Sequence, residues 1–350
     1  MAIRFHWRLP LGGEEAASAA AGASPSALPD FAAQLAFCRL AERCGIDSLL
    51  TACGFYMPDP IPLVAALGGA TRTVRFLLAY RPGLLSPTLF VQQVNTLAAL
   101  SGGRISLNVV MGHSAEEQRA YGDFLDHDER YRRADEFLEV CRAFWRGEGE
   151  VSFSGQHYRI ENARLKIPFA SPDRQAPEIY LGGSSPPALA VAARHGDCWL
   201  RLADAPEALR PQVEEMRRRG IEVGLRLSLV SRPTREEAVA AAYALLDGGD
   251  TEFIRQVFVQ GSDSATMTSA FASRESHWLT PWLWNGAVAS RGASAICLVG
   301  SPEEVVAGVL EYRRIGVTQF IFSGWPNSQA LTYFGEEILP LLRAREENAS

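Results

Sequence analysis

Lys166 is the only lysine in a chain of 350 residues, so nearly all the positive charge is carried by arginine. It lies past a hairpin-like segment near Pro168, not at a strand end, which leaves a Schiff-base aldolase without its nucleophile. The six histidines (His6, His113, His127, His157, His195, His277) form no H-x-H or H-E-x-x-H pair, so no metal site of the hydrolase type is expected. No G-x-S-x-G elbow and no G-x-G-x-x-G fingerprint occur, which argues against a serine hydrolase and a Rossmann dinucleotide site. The stretch Tyr180-Leu181-Gly182-Gly183-Ser184-Ser185-Pro186-Pro187 fits another chemistry, the anchoring of an organic cofactor by its phosphate. It runs from a strand end into a helix start. Its glycines let backbone approach a ligand, and two hydroxyls and the helix N–H groups face an anion. A plain turn with a helix cap fits the same letters.

Three polar residues stand in apolar surroundings, each with an ordinary structural reading open to it. Tyr131 fits the apolar face of a helix as a core tyrosine. Arg226 sits within Leu225-Arg226-Leu227, an expensive place for an unpaired charge, so a buried ion pair is one reading. Asn108, near the end of a strand-like run, fits a strand-end cap.

The elements that must position these residues alternate along the chain. Strand-like runs cover Ile3–Trp7, Ser48–Ala52, Val74–Tyr80, Ile105–Met111, Glu178–Gly182, Cys198–Leu202, Val223–Val230 and Gln319–Ser323. They have few alternating polar residues, as parallel strands covered on both faces do. Helix-period segments lie between them, with stops at Gly45 and Gly102-Gly103 and capping boxes at Thr234/Glu237 and Ser301/Glu304. Eight strands with interleaved helices favour an α/β fold of the (β/α)8 TIM-barrel type with insertions, in one domain over 1–350, rather than an open doubly wound sheet. Val151–Ile160 reads as a hairpin and Gly12–Ser26 as a flexible loop. Residues 248–293 read as a mobile lid, or alternatively as a rigid insertion that packs on a neighbouring subunit.

A formal net charge of −6 argues against nucleic acid or an anionic membrane as partner, and no apolar run is long enough for a membrane span. The N-terminus reads as a strand without a signal peptide. The six scattered cysteines contain no C-x-x-C and read as buried reduced thiols of a cytoplasmic protein.

Taken together, Trp7-Arg8-Leu9-Pro10, Tyr80-Arg81-Pro82-Gly83, Ser86-Pro87-Thr88, Ser101-Gly102-Gly103-Arg104, Asn108, Glu129-Arg130-Tyr131, Gly182-Gly183-Ser184-Ser185, Gly224-Leu225-Arg226-Leu227, Arg291-Gly292, Leu298-Val299-Gly300 and Ser323-Gly324 form a specific set. In these segments the chain resembles the bacterial-luciferase-like flavin-dependent monooxygenases, and most of all their alkanesulfonate monooxygenase branch. The resemblance implies a barrel with its site at the C-terminal strand ends. It implies reduced FMN supplied by a separate NAD(P)H:flavin reductase, O2 as co-substrate, a peroxyflavin that attacks a small organic substrate, and a homodimer or homotetramer. Cofactor contacts would come from Ser184, Ser185, Gly183 and Tyr131 at the phosphate. Asn108 and Ala79 would meet the ring, with a cis peptide at Ala79-Tyr80. Arg226 and Arg291 would clamp an anionic oxygen.

Departures from the branch fall on the substrate side. Ser228 stands where the branch has histidine, Trp325 where it has tyrosine, Leu202 where it has tryptophan and Met111 where it has threonine, while Cys53 is displaced. Ser228 and Trp325 join Arg226 and Arg291 as the candidate catalytic residues. A larger or more apolar substrate than a short alkanesulfonate is expected. An alkanesulfonate monooxygenase that releases sulfite, a deazaflavin-dependent oxidoreductase and a flavin-binding protein with reduced catalysis are the alternatives.

Overall fold

The computed structural model describes residues 2–10, 30–54, 57–247, 251–260, 262–272 and 276–347. Among the described residues thirteen strands run in chain order: β1 (Arg4–Arg8), β2 (Ser48–Leu50), β3 (Arg75–Tyr80), β4 (Ile105–Val109), β5 (Val151–Ser154), β6 (Arg159–Ala163), β7 (Ile179–Gly182), β8 (Cys198–Leu202), β9 (Glu222–Arg226), β10 (Ser228–Ser231), β11 (Leu283–Trp284), β12 (Cys297–Gly300) and β13 (Gln319–Phe322). Eight of them close a parallel barrel in the order β1-β13-β9-β8-β7-β4-β3-β2. The predicted closed barrel is therefore the observed one. β5 and β6 form the predicted hairpin, which extends to Ala163.

Strand alternation sorts the side chains. Phe76, Leu78 and Tyr80 of β3 join the core between barrel and helices, whereas Leu77 packs with Tyr180, Cys198, Leu200 and Ile321 in a separate interior cluster. Deeper, a polar floor closes the N-terminal end. Arg4 Nη1 donates to Glu178 at 2.9 Å and Nη2 to Glu222 at 3.0 Å, while His6 lies 2.6 Å from Ser48 Oγ and 2.9 Å from Gln319 Oε1. Helix ends follow the sequence signals. Both capping boxes form, Ser86 and Asp126 cap the helices Pro87–Ser101 and His127–Arg146, and Gly102 ends the first of these at φ 65°.

One expected strand divides into two. Val223–Val230 is not a single strand, because it breaks at Leu227. β9 stays in the barrel, and β10 pairs in parallel with β12 in a three-stranded sheet, order β10-β12-β11. The cause is backbone pairing: Ser228 N donates to Ile296 O at 2.8 Å, a partner outside the barrel. An apolar run continuous through the break hides it from periodicity. β12 itself, read from sequence only as a motif, is the partner that draws β10 away.

The expected loop Gly12–Ser26 and the glycines Gly248, Gly249 and Gly261 lie outside the described residues. The rest of the 248–293 segment divides in two. Its second half is packed: Trp284 is buried with Trp278 against it, Trp282 stacks edge-on against Tyr312 at 5.2 Å, and β11 pairs with β12. Its first half holds the helices Thr251–Ile254 and Ala265–Ala270. No helix among the described residues is long and apolar enough to cross a membrane.

Candidate functional site

The C-terminal ends of the barrel strands bring the sequence-predicted residues into two groups. Ala79 and Asn108 are register partners on β3 and β4, and β7 follows with the Gly183-Ser184-Ser185 turn. Leu202 on β8 pairs with Arg226 on β9, next to β13 and Ser323. In the barrel order the second group therefore follows directly on the first, with β7 beside β8.

The first group is a cradle. Gly183 has φ +114°, and a Cβ there would meet Ala188 Cβ at 2.7 Å and Tyr131 Oη at 2.9 Å. Only glycine fits both the conformation and the space. Trp199 Nε1 donates to the Gly183 carbonyl at 2.9 Å and holds the turn from below. Ser185 stands at the N-cap of the helix Pro186–His195 but makes no capping hydrogen bond. Its Oγ is buried and lacks a hydrogen bond of normal geometry, although the Tyr131 hydroxyl faces it. Burial raises the Tyr131 pKa, and Ser185 eases that rise. An N-cap serine that leaves its hydroxyl unspent is free to serve a ligand oxygen. The helix start is poorer in N–H donors than the sequence reading assumed, because Pro186 and Pro187 have none.

The second group is a relay. Arg226 Nη1 donates to the carbonyls of Leu227 (2.7 Å) and Ile321 (3.2 Å), and Nη2 to Ser323 Oγ at 3.2 Å. Ser323 Oγ lies 2.7 Å from Ser228 Oγ, which donates to Ser294 O at 2.7 Å. A serine hydroxyl has one proton, so the direction is set: Arg226 to Ser323 to Ser228 to the carbonyl. Ser228 is 0% exposed and connects to Arg226 through Ser323. Arg291 donates to the carbonyls of Leu245 (2.8 Å) and Asp247 (2.9 Å), and its guanidinium lies 5.9 Å from the Trp325 ring. Burial pushes the Cys297 thiol pKa up, and the nearby charges of Arg226 and Arg291 both oppose it. Beside Trp325 lies a groove of about 200 Å³ lined by Ser231, Arg232, Gln329, Ala330 and Tyr333.

The Ala79-Tyr80 peptide is trans. Among the described residues the cis bond is Trp325-Pro326. The reason is a regular ladder: Ala79 N donates to Thr51 Oγ1 at 3.0 Å, and the register with β4 runs on through Tyr80 and Val109.

The sequence predicts a lid over 248–293 but does not show which residues tie that segment to the cradle. Arg130, 2% exposed, donates from Nη2 to Asp263 at 2.5 Å. Asp263 N donates to His113 O at 3.0 Å, and Thr266 Oγ1 lies 3.0 Å from Ser184 Oγ. Residues 262–270 are thereby tied across Ser184. The available signal was the Glu129-Arg130-Tyr131 motif, whose arginine had no assigned partner. Ser323 was also missed, although it directly precedes a glycine at the last strand's end.

The sequence profile of the luciferase-like monooxygenases matches residues 3–319. The chain belongs to this luciferase-like monooxygenase family. Solved structures share its fold over nearly the whole length. A long-chain alkane monooxygenase is 20% identical, with TM-score 0.78 over 99% of this chain and 92% of that one. The EDTA monooxygenase of Chelativorans sp. BNC1 is 18% identical, TM-score 0.81, covering 99% and 94%. A riboflavin lyase, solved with modified FMN and riboflavin, is 21% identical, TM-score 0.80, covering 99% and 92%. In barrels of this type the C-terminal strand ends, where the cradle and the relay both lie, are the usual place for the chemistry.

Proposed function

We propose that the chain is the oxygenase of a two-component system. It takes reduced FMN from a separate NAD(P)H:flavin reductase and uses O2 to oxygenate a small organic substrate. The observation that carries this reading is the buried, unspent Ser185 hydroxyl beside Tyr131 and the Cβ-free Gly183. Ser184, Ser185, Gly183 and Tyr131 would hold the FMN phosphate, and Ala79 and Asn108 the ring side. Bound reduced flavin supplies the two electrons that activate O2.

Arg226, fixed by two carbonyls and Ser323, presents a charge whose position does not change during the reaction, which is the condition for stabilising developing negative charge. Ser228 is a positioning residue in this scheme. Arg291 and Trp325 form the outer wall, and the absence of a titrating side chain at Ser228 and Trp325, with Leu202 at the mouth, suits a larger or more apolar substrate than a short alkanesulfonate. Residues 262–270 act as the lid that keeps water from the flavin. The six cysteines are free, in keeping with a cytoplasmic setting.

Anaerobic titration with reduced FMN tests the reading. Saturable binding is expected, together with 18O from O2 in the product once a reductase is supplied. Mixing with FMN and NADH alone should leave the flavin oxidised. Fast bleaching in that mixture, or preference for a deazaflavin, would overturn the assignment. Sulfite release from simple alkanesulfonates would overturn the substrate class.

A further inference from the structure

The helix start at Ser185 poses an electrostatic problem. A phosphate near neutral pH approaches two negative charges, yet Pro186 and Pro187 offer no N–H and the serine hydroxyls bring no charge. One cation stands beside the turn without a hydrogen-bond or ion-pair partner among the described residues. Arg201 lies on β8, and one residue before it Leu200 is the register partner of Gly182. It shares a face with Trp199, whose indole N–H holds the Gly183 carbonyl, and its guanidinium lies 5.7 Å from the Trp199 ring centroid. The helix Ala265–Ala270, which meets Ser184 through Thr266, packs against β8 as well.

The buried Arg81 and Arg130 and the partly buried Arg104 are matched. Arg81 pairs with Glu117 at 2.5 Å, Arg130 with Asp263 at 2.5 Å, and Arg104 donates to the carbonyls of Val74 and Gly68. Arg201 has no hydrogen bond and no ion pair among the described residues, and its Nε is buried. Burial lowers its pKa, and Asp204 only partly restores it. Asp204 is committed to the backbone N–H of Ala205 at 2.8 Å. A desolvated guanidinium without a counter-charge is unfavourable unless a ligand supplies one.

We propose that Arg201 is the cationic anchor of the flavin phosphate, completing the Ser184–Ser185–Tyr131 cradle. The inference rests on the cradle reading above and adds the residue that supplies its charge. Arginine suits the task because its planar fork stays protonated near neutral pH and can bind two phosphate oxygens at once.

The test compares FMN with riboflavin, which lacks only the phosphate, in Arg201→Gln, Arg201→Lys and the parent protein. Binding is read by flavin fluorescence, and folding by circular dichroism and thermal midpoint. The parent should prefer FMN. Arg201→Gln should weaken FMN roughly ten- to hundredfold, the range for a charge-assisted hydrogen bond, and leave riboflavin unchanged. Arg201→Lys should recover part of the loss, and the salt dependence of FMN affinity should flatten in the Gln variant. Equal weakening of both flavins would make Arg201 a packing residue and overturn the proposal. So would an unchanged FMN preference in Arg201→Gln, which leaves the cradle reading standing. A parent that does not distinguish FMN from riboflavin would overturn the cradle and the anchor together.

Discussion

Ser185 and Arg291 show how a single side chain's partners set what its loss will do. Ser185 Oγ makes no cap bond, so Ser185→Ala should not carry the usual cap penalty of about 1 kcal/mol. The thermal midpoint is expected to hold while FMN affinity falls about tenfold, as for one lost phosphate hydrogen bond. A drop in midpoint with unchanged FMN binding would return Ser185 to a plain capping role. Arg291 is the reverse case, since its donors satisfy the carbonyls of Leu245 and Asp247. Arg291→Ala should lose roughly 1.5–3 kcal/mol in chemical denaturation, leave oxidised FMN binding intact and raise hydrogen peroxide leakage. Unchanged coupling of oxygen to product would remove Arg291 from the site.

At the scale of elements, the stretch 262–270 is tied, among the described residues, by the pair Arg130–Asp263. Asp263→Asn keeps the shape but removes the charge that balances a buried guanidinium. The cost, about 3–5 kcal/mol for a buried pair broken on one side, is an upper bound because Asp263 is about one third exposed. We expect it to appear locally, as faster hydrogen exchange across 262–270 and easier proteolysis there, with the barrel strands unaffected. Flavin release should speed up and peroxide leakage should rise. Protection equal to the parent's across this segment would show that the pair does not hold the lid.

For the whole molecule, the barrel floor sets the response to acid. Burial alone would raise the Glu178 and Glu222 pKa values, but for Glu178 the hydrogen bond and charge of Arg4, and for Glu222 the hydrogen bond of Gln319 with Arg4, hold both below the usual carboxylate value. A depressed folded pKa means stability that is present above the unfolded value of about 4.3 and lost as pH falls through the folded one. Burial lowers the His6 pKa as well. Its neutral form is favoured in the fold, so its share is lost as pH falls below the unfolded value of about 6.5. Stability should therefore decline in two stages on acidification. Glu178→Gln should lower stability by roughly 1–3 kcal/mol at neutral pH and flatten the decline below about pH 4.3. Denaturant midpoints from pH 7 to 3 decide it, and parallel curves for variant and parent would refute the floor as the source.

The strands and helix caps were legible because they are local. Apolar runs of strand length, Ser and Thr capping boxes and glycine stops each act within a few residues, so β1 to β4, β7, β8 and β13 and the closed barrel could be read from them. The Gly183-Ser184-Ser185 turn could be read for the same reason. Pairing across long sequence distances could not. Ser228 N finds Ile296 O, Ser323 meets Ser228, and Thr266 meets Ser184. No pattern within one segment encodes these meetings. Whether Ser185 caps its helix or keeps its hydroxyl free, and whether Arg201 has a counter-charge, depend on what the fold places within hydrogen-bonding distance. The sequence determined which residues could bind a phosphate and carry charge in a barrel. The tertiary structure decided which of them were left unsatisfied, and an unsatisfied buried group is the one a ligand can stabilise.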